Sequence, residues 1–361
     1  MNQLFGGVYR NTKVLVTGHT GFKGSWLTHW LLCLGADVSG LALDPNTFPN
    51  HWDLLCHQIA DYRCDIREAT RTREVLAAEK PEIVFHLAAQ PLVRASYADP
   101  VGTWSSNLMG TVHLLEACRC SESVRAVVVA TTDKVYEERL CPSGYREADP
   151  LGGHDPYSAS KAACEIAVDS YRKSFFAPAG LPLVATARAG NVIGGGDWSL
   201  DRLVPDIIRA TGENRPIEIR CPDSVRPWQH VLDCLSGYLL LGERLLREDS
   251  TCATSWNFGP EDQTDHTVRR LLDVFALHDP GLKWIDRSDP QNLHEAGTLV
   301  LNSDKARQKL GWSSVWSLEQ TVSMTSSWYA GLSQTGSLRT NEQLSQYVQD
   351  AWTGGLSWAR S

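Results

Sequence analysis

Paired cysteines are missing from this chain of 361 residues. Its ten cysteines are scattered, Cys118 and Cys120 stand too close for a CxxC site, and no Cys/His pair has zinc-ligand spacing. A disulfide framework is excluded, free thiols are expected, and no metal site is expected. Long apolar runs are missing too. None approaches the ~20 residues of a membrane-spanning helix, and residues 1–10 hold no apolar leader core. A cytoplasmic protein without a membrane partner is expected. Positive charge is in deficit, with 34 Lys+Arg against 42 Asp+Glu and a formal net charge of -8. That excludes a general basic field for nucleic acid, so an anionic small ligand must be met by local cations. There is no internal repeat and no low-complexity tract.

What remains is an ordinary globular composition, 42% hydrophobic and 21% charged, at a length that suits two domains or one domain with a lobe. Thirteen tryptophans are many, and most should be core or interface anchors.

The chain opens on a β-branched apolar run, residues 13–17, that leads into Gly18-His19-Thr20-Gly21-Phe22-Lys23-Gly24. An apolar helix over 26–34 and a strand over 37–43 follow, closed by Asp44. Strand, glycine turn, helix, strand and acid in this order fit a dinucleotide site. The first glycine allows a tight turn, the second lets backbone approach a pyrophosphate, the third lets helix pack on strand, and the helix N-terminus offers free amides. Asp44, twenty residues after Gly24, suits ribose hydroxyls and repels a 2′-phosphate, which favours NAD over NADP. The spacing is GxxGxxG rather than GxGxxG.

The alternation continues with expected strands over 61–66, 82–87, 126–130 and 183–187. Expected helices cover 68–80, 101–119 and 157–175. Such alternation predicts an α/β fold, a Rossmann-type doubly wound parallel sheet. Trp104, Leu108, Val112 and Leu115 form one stripe on the helix over 101–119, suited to core or to a subunit interface. Beyond 193 the pattern loosens. A helix over 202–211, a strand over 216–220 and a helix over 231–246 are expected. Residues 1–192 are assigned to the NAD-binding domain, with return segments at about 226–262. Residues 193–361 form mainly a smaller, discontinuous C-terminal substrate lobe. The polar, Gln/Ser-rich tail beyond 338 is expected to be only partly ordered.

Two polar clusters carry the chemistry. The apolar run 126–130 ends in Thr131-Thr132-Asp133-Lys134, at a strand end where open α/β sheets hold ligands. Tyr157 and Lys161 lie four apart and share a helix face. A phenol is a poor base near neutrality, and a lysine one turn away stabilises its phenolate and holds the cofactor ribose. With Thr132 sharing the substrate oxygen, the set oxidises an alcohol. Leu87, Ala88, Ala89, Gln90 and Thr131, at neighbouring strand ends, are candidates for the cofactor with Gly18, Thr20, Gly21, Phe22, Lys23, Gly24 and Asp44, and Ala88 and Ala89 suit plain core packing equally well.

The glycine turn, YxxxK and Asn191-Val192-Ile193-Gly194 together resemble the extended short-chain dehydrogenase/reductases. Thr132-Asp133-Lys134 resembles the nucleotide-sugar 4,6-dehydratases within them. Four stretches resemble the CDP-glucose branch: TGHTGFKGSWL (17–27), HLAAQPLVR (86–94), RAGNVIGGGDW (188–198) and RPWQHV (226–231). The likeness runs over about 6–328. It implies bound NAD, CDP-glucose as the substrate and a homodimer or higher homo-oligomer. It implies C4 oxidation, loss of water across C5 and C6, and hydride return to C6. By the same likeness Asp133 is the acid for the leaving hydroxyl, Asp65 and Ile66 flank the adenine, and Asn107 supports Lys161. Asn191 meets the substrate phosphates. Where many relatives carry a glutamate as C5 base this chain has Lys134, which acts as base or holds Asp133 or a water. Arg226, Arg94 and Arg202 are the candidate cations for the substrate diphosphate. His19, His86 and His230 are read as structural. The rival readings are a nucleotide-sugar 4-epimerase, a dehydratase of another nucleotide and a non-catalytic NAD-binding regulator.

Overall fold

The computed structural model describes residues 1–139, 141–176, 182–261, 266–289 and 298–360. Its first half runs β1 (Lys13–Thr17), α1 (Phe22–Cys33), β2 (Asp37–Ala42), α2 (His51–Leu55), β3 (Ala60–Arg63), α3 (Ala69–Glu79) and β4 (Ile83–His86). Next come α4 (Val93–Ala98), α5 (Pro100–Trp104), α6 (Gly110–Arg119), β5 (Ala126–Ala130), α7 (Pro156–Ser174) and β6 (Leu183–Ala189). The second half adds β7 (Val192–Ile193), α8 (Leu203–Gly212), β8 (Ile217–Ile219), β9 (Gln229–His230), α9 (Val231–Leu246) and β10 (Ser255–Phe258). It closes with α10 (Val268–His278), β11 (Trp284–Asp286), α11 (Leu318–Thr335) and α12 (Thr340–Thr353).

Seven strands form one sheet in the order β10-β6-β5-β4-β1-β2-β3, and every pairing in it is parallel. Strand order reverses between β1 and β4, and ligands of such sheets bind at that switch point. One face is covered by α1 and α9, the other by α3, α6 and α7. The expected doubly wound parallel sheet is therefore present. β1, β5 and α9 have their expected bounds, and most other elements shift by one or a few residues.

Three differences matter. The third strand ends at Arg63 rather than at 66, so Asp65 stands in the loop beyond it. The helix expected over 101–119 contains a wide, π-type turn at Ser105–Met109 between α5 and α6. Its expected stripe is uneven: Leu115 is buried and Trp104 is 37% exposed. Wide turns of this kind cluster at functional sites, and here it carries Asn107.

The third difference is the tail, which is ordered and buried. α1 is apolar almost all round, and a helix of that kind must be covered on both sides. The sheet covers one side and the C-terminus the other. Trp358 stacks on Phe5 with ring centroids 4.9 Å apart and meets Trp30 of α1 edge-on, and Leu344, Tyr347 and Ala351 of α12 are buried in the same core. Most polar residues of α12 lie on its outer face, while Thr340 and Gln343 are buried and hydrogen-bonded to α11. Position 262, the last of the expected return segment, and position 361 lie outside the described residues.

α12 reaches α9 through a buried carboxylate. Asp233 Oδ1 accepts from the Val315 amide at 2.6 Å and from Tyr347 Oη at 2.9 Å. Burial pushes the Asp233 carboxyl up to about 7, against the pull of these donors. The unfolded carboxyl titrates near ~3.9, so the folded protein keeps a proton that the unfolded chain releases as pH rises from about 4 to about 7. Stability from this group is complete below that window and is lost as pH rises through it, with a limiting slope of ~1.4 kcal/mol per pH unit. Asp233→Asn removes the titration. Chemical denaturation at pH 5 and pH 7 should show the stability difference, wild type minus variant, shrinking by on the order of 2 kcal/mol. A difference independent of pH contradicts this.

Candidate active site

A cavity of about 800 Å³ opens beyond the carboxyl ends of β1, β4, β5 and β6 and continues to α8 and β8. Its floor begins at the glycine turn. Gly18 has φ +74°, and a Cβ there would lie 2.7 Å from the Ala88 amide. A Cβ on Gly24 would lie 2.0 Å from the Gly18 carbonyl oxygen. Gly21 caps α1 and meets nothing closer than 3.4 Å. The first and third glycines thus let backbone meet backbone, and the second leaves the first turn of α1 open to the cavity. The helix starts at Phe22, four residues earlier than expected, because the turn itself forms its first coil.

A buried chain of hydrogen bonds sets the neighbouring strand ends. Thr111 Oγ1 donates to the Asn107 carbonyl at 2.6 Å, so it accepts from His86 Nε2 at 3.1 Å. His86 Nδ1 then accepts from Thr17 Oγ1 at 2.7 Å, and Thr17 accepts from the Leu87 and Ala88 amides at 3.2 Å each. This order needs a neutral ring. Burial supplies it, pushing His86 down to about 3 with Lys161 acting the same way. His230 caps α9 by accepting from the Leu232 amide, and His19 bonds Asp61 at 2.9 Å. All three histidines act structurally.

At the reacting end, Tyr157 and Lys161 lie on the buried face of α7. Lys161 Nζ donates to the Ala130 carbonyl at 3.1 Å, which ties the helix to the end of β5. Burial lowers the Lys161 pKa; Cys164 opposes this and Lys23 reinforces it. Burial pushes the Tyr157 phenol up to about 12, and a hydrogen bond with Thr132 opposes that. Thr132 Oγ1 donates to Asp133 Oδ1 at 2.9 Å, while Asp133 Oδ2 is buried without a partner among the described residues. A Cβ on Gly190 would sit 1.9 Å from that oxygen. Gly190, at the end of β6, was not among the expected site residues. Its signal in the chain is only a glycine directly after a buried strand.

Thr20, Phe22, Lys23, Asp44, Asp65, Ile66, Leu87, Ala88, Ala89, Gln90 and Thr131 all line the cavity, as do Lys134, Asn191, Arg94, Arg202 and Arg226. Several are engaged in unexpected ways. Thr131 turns its hydroxyl away, donating to Glu165 Oε1 at 2.5 Å. Asp65 is held by Arg67, whose Nη2 lies at 2.6 Å. Asp44 is 3.6 Å from Arg63. Asn107 stands behind the wall rather than in it. It bonds both the amide and the carbonyl of Gln90, and Ser160 Oγ at 2.9 Å. Arg94 pairs with Asp201 at 3.0 Å and Arg202 with Asp197 at 3.2 Å. Arg226 is buried and donates to the Val225 carbonyl. Asn191 adopts φ +37°, a region Asn tolerates better than most residues.

The cavity thus joins a phosphate-ready turn to a Tyr/Lys pair and a buried carboxylate. The profile of the GDP-mannose 4,6 dehydratase family matches residues 15–325. The chain belongs to this family. It is 46% identical over 329 residues to the CDP-glucose 4,6-dehydratase of Salmonella typhimurium, covering 89% of this chain and 91% of that enzyme. It is 26% identical to the UDP-glucose 4-epimerase of Rhizobium meliloti, covering 91% and 100%. Among solved structures, the Thermus thermophilus UDP-glucose 4-epimerase in complex with NAD superposes with a TM-score of 0.77 at 26% identity, covering 89% of this chain and 99% of that one. The chain is thus similar both to a 4,6-dehydratase and to 4-epimerases.

Because Gly190 gives Asp133 its room, Gly190→Ala should displace the carboxylate. Nucleotide-sugar turnover should fall on the order of 10²-fold, with the circular dichroism spectrum and melting curve close to wild type. Turnover within twofold of wild type contradicts the placement.

Proposed function

We propose that the chain converts CDP-glucose to CDP-4-keto-6-deoxyglucose. The observation that carries this is Asp133, a buried carboxylate at the end of β5 that touches Thr132 beside Tyr157 and Lys161. An epimerase exchanges only the configuration at C4 and has no use for an acid there. A 4,6-dehydratase must protonate a leaving 6-hydroxyl. The 46% identity to a CDP-glucose 4,6-dehydratase supports the same reading.

The cavity fits NAD. Gly18, Gly21 and Gly24 leave backbone where a pyrophosphate lies closest, α1 presents its first-turn amides, and Asp44 stands at the end of β2 for ribose hydroxyls. Asp65, Ile66 and Leu87 to Gln90 form the remaining wall. When bound, NAD accepts a hydride from the sugar and gives it back, so the reaction has no net redox change. Tyr157 takes the proton of the 4-hydroxyl, with Thr132 holding that oxygen in line. Its phenol, raised by burial, needs the cationic Lys161 one turn away to become a base. The resulting 4-ketone acidifies the C5 proton. Lys134, half-buried next to Asp133, is assigned to that step, either taking the proton or holding Asp133 or a water in place. Asp133 protonates the 6-hydroxyl as water leaves. Asn191, Arg94, Arg202 and Arg226 are assigned to the diphosphate.

We further infer a division into an NAD-binding domain, residues 1–192 with returns near 226–262, and a nucleotide-sugar lobe built mainly from the rest. A homodimer through the segment from α5 to α6 and through α7 is supported by the exposed apolar side chains Val101 and Trp104 of α5, Met109 of the wide turn and Ile166 of α7. A cytoplasmic location is supported by the free cysteines among the described residues. Among the described residues no helix is long and apolar enough to cross a membrane.

Purified protein given CDP-glucose and no added reductant should yield a 4-keto sugar lighter by one water, read by mass spectrometry. Asp133→Asn should lower that yield by 10²–10⁴-fold. An unchanged yield of that product in Asp133→Asn overturns the role of Asp133, and turnover of CDP-glucose without loss of water overturns the dehydratase assignment in favour of an epimerase.

A further inference from the structure

The cavity has three regions. One end holds the phosphate turn and Asp44, and the middle holds Tyr157, Lys161 and Asp133. With the adenosine end taken by the cofactor and the sugar held at the middle, the nucleoside of the substrate has one place left, the end between α8 and β8. That end is walled by Leu203, Pro205, Ile217 and Ile219, apolar groups suited to the faces of a flat base.

Four carboxylates border this end: Asp197, Asp201, Asp206 and Glu218. Asp197 is filled on both oxygens, by the Ser199 amide at 3.0 Å and Arg202 at 3.2 Å. Asp201 is bridged to Arg94, one of the cations assigned to the diphosphate. Glu218 is 61% exposed and paired outward with Arg287. Asp206 remains. It lies on the first turn of α8, the helix that packs on β8, its side chain is 39% exposed, and among the described residues Arg209 engages its Oδ1 while its Oδ2 is open. Burial pushes its carboxyl up and Arg209 pulls it back. A carboxylate accepts hydrogen bonds and cannot donate them, so it repels a diphosphate and calls for a donor from the ligand.

We propose that Asp206 reads the substrate base, accepting a hydrogen bond from the 4-amino group of cytosine and rejecting the 4-oxo group of uracil or thymine. This rests on the dehydratase reading above and explains its choice of nucleotide. Cytosine carries an amino donor at C4. Uracil and thymine carry an oxygen there, which meets the carboxylate lone pair to lone pair. A site built to pair with one hydrogen-bonding group discriminates strongly against a ligand that leaves it unpaired.

The test compares kcat/KM for CDP-glucose and UDP-glucose in wild type and Asp206→Asn. Wild type should favour CDP-glucose. The variant, whose amide can also donate to a 4-oxo group, should lose about tenfold or more of that preference, mainly through KM. A second arm leaves the protein intact. The 5′-diphosphate of pyrimidin-2-one riboside, which has no group at C4, should inhibit wild type at least about tenfold more weakly than CDP. A wild-type preference that survives in Asp206→Asn overturns the proposal, as does a parallel loss on both substrates. Inhibition by the pyrimidin-2-one nucleotide equal to that by CDP also overturns it. Wild type that ignores CDP-glucose altogether overturns the dehydratase reading instead.

Discussion

Behind the reacting groups lies a buried ion pair on which their positions depend. Arg188 of β6 donates to Glu165 of α7 at 2.8 Å, with both side chains almost fully enclosed. Burial works against the Glu165 charge, yet Arg188, Thr131 and Thr186 together hold its carboxyl below the usual range. Arg188 also donates to Tyr136 Oη and to the Glu147 carbonyl, and Tyr136 reaches Asn257 of β10. Removing one member of such a pair leaves an uncompensated charge and costs ~3–5 kcal/mol. The geometric consequence matters more. Glu165 is one turn beyond Lys161, and Thr131 is one residue before Thr132, so the pair locks the two halves of the site against each other.

That lock bears on both steps of the proposed reaction. In the proposed reaction the glycine turn, Tyr157 and Lys161 serve the alcohol oxidation. The proposed elimination rests on Asp133, which is held by Thr132 on one side and has room beside Gly190 on the other. Thr132 therefore stands between the two half-reactions, touching both the phenol and the acid.

The chain reveals the fold where burial is uniform. β1 and β5 are continuous apolar runs and α9 is apolar over four turns, so their ends are visible as changes of composition. The Tyr/Lys pair and the glycine turn are legible because their spacing repeats a local geometry. What is hidden depends on distant partners. The order of the C-terminal tail follows from the bare outer side of α1, far away in the chain. Asn107 looks like a polar helix residue until the wide turn brings it to Gln90. Thr131 reads as a cavity residue because it ends a strand, and only the buried Glu165 turns its hydroxyl away.

The coupling of oxidation to elimination is tested most directly with CDP-glucose carrying deuterium at C4, turned over in ordinary water. The product should carry the label at C6, with a solvent-derived hydrogen at C5. Label returned to C4, or a product without deuterium, contradicts the assignment of oxidation and elimination to this one site.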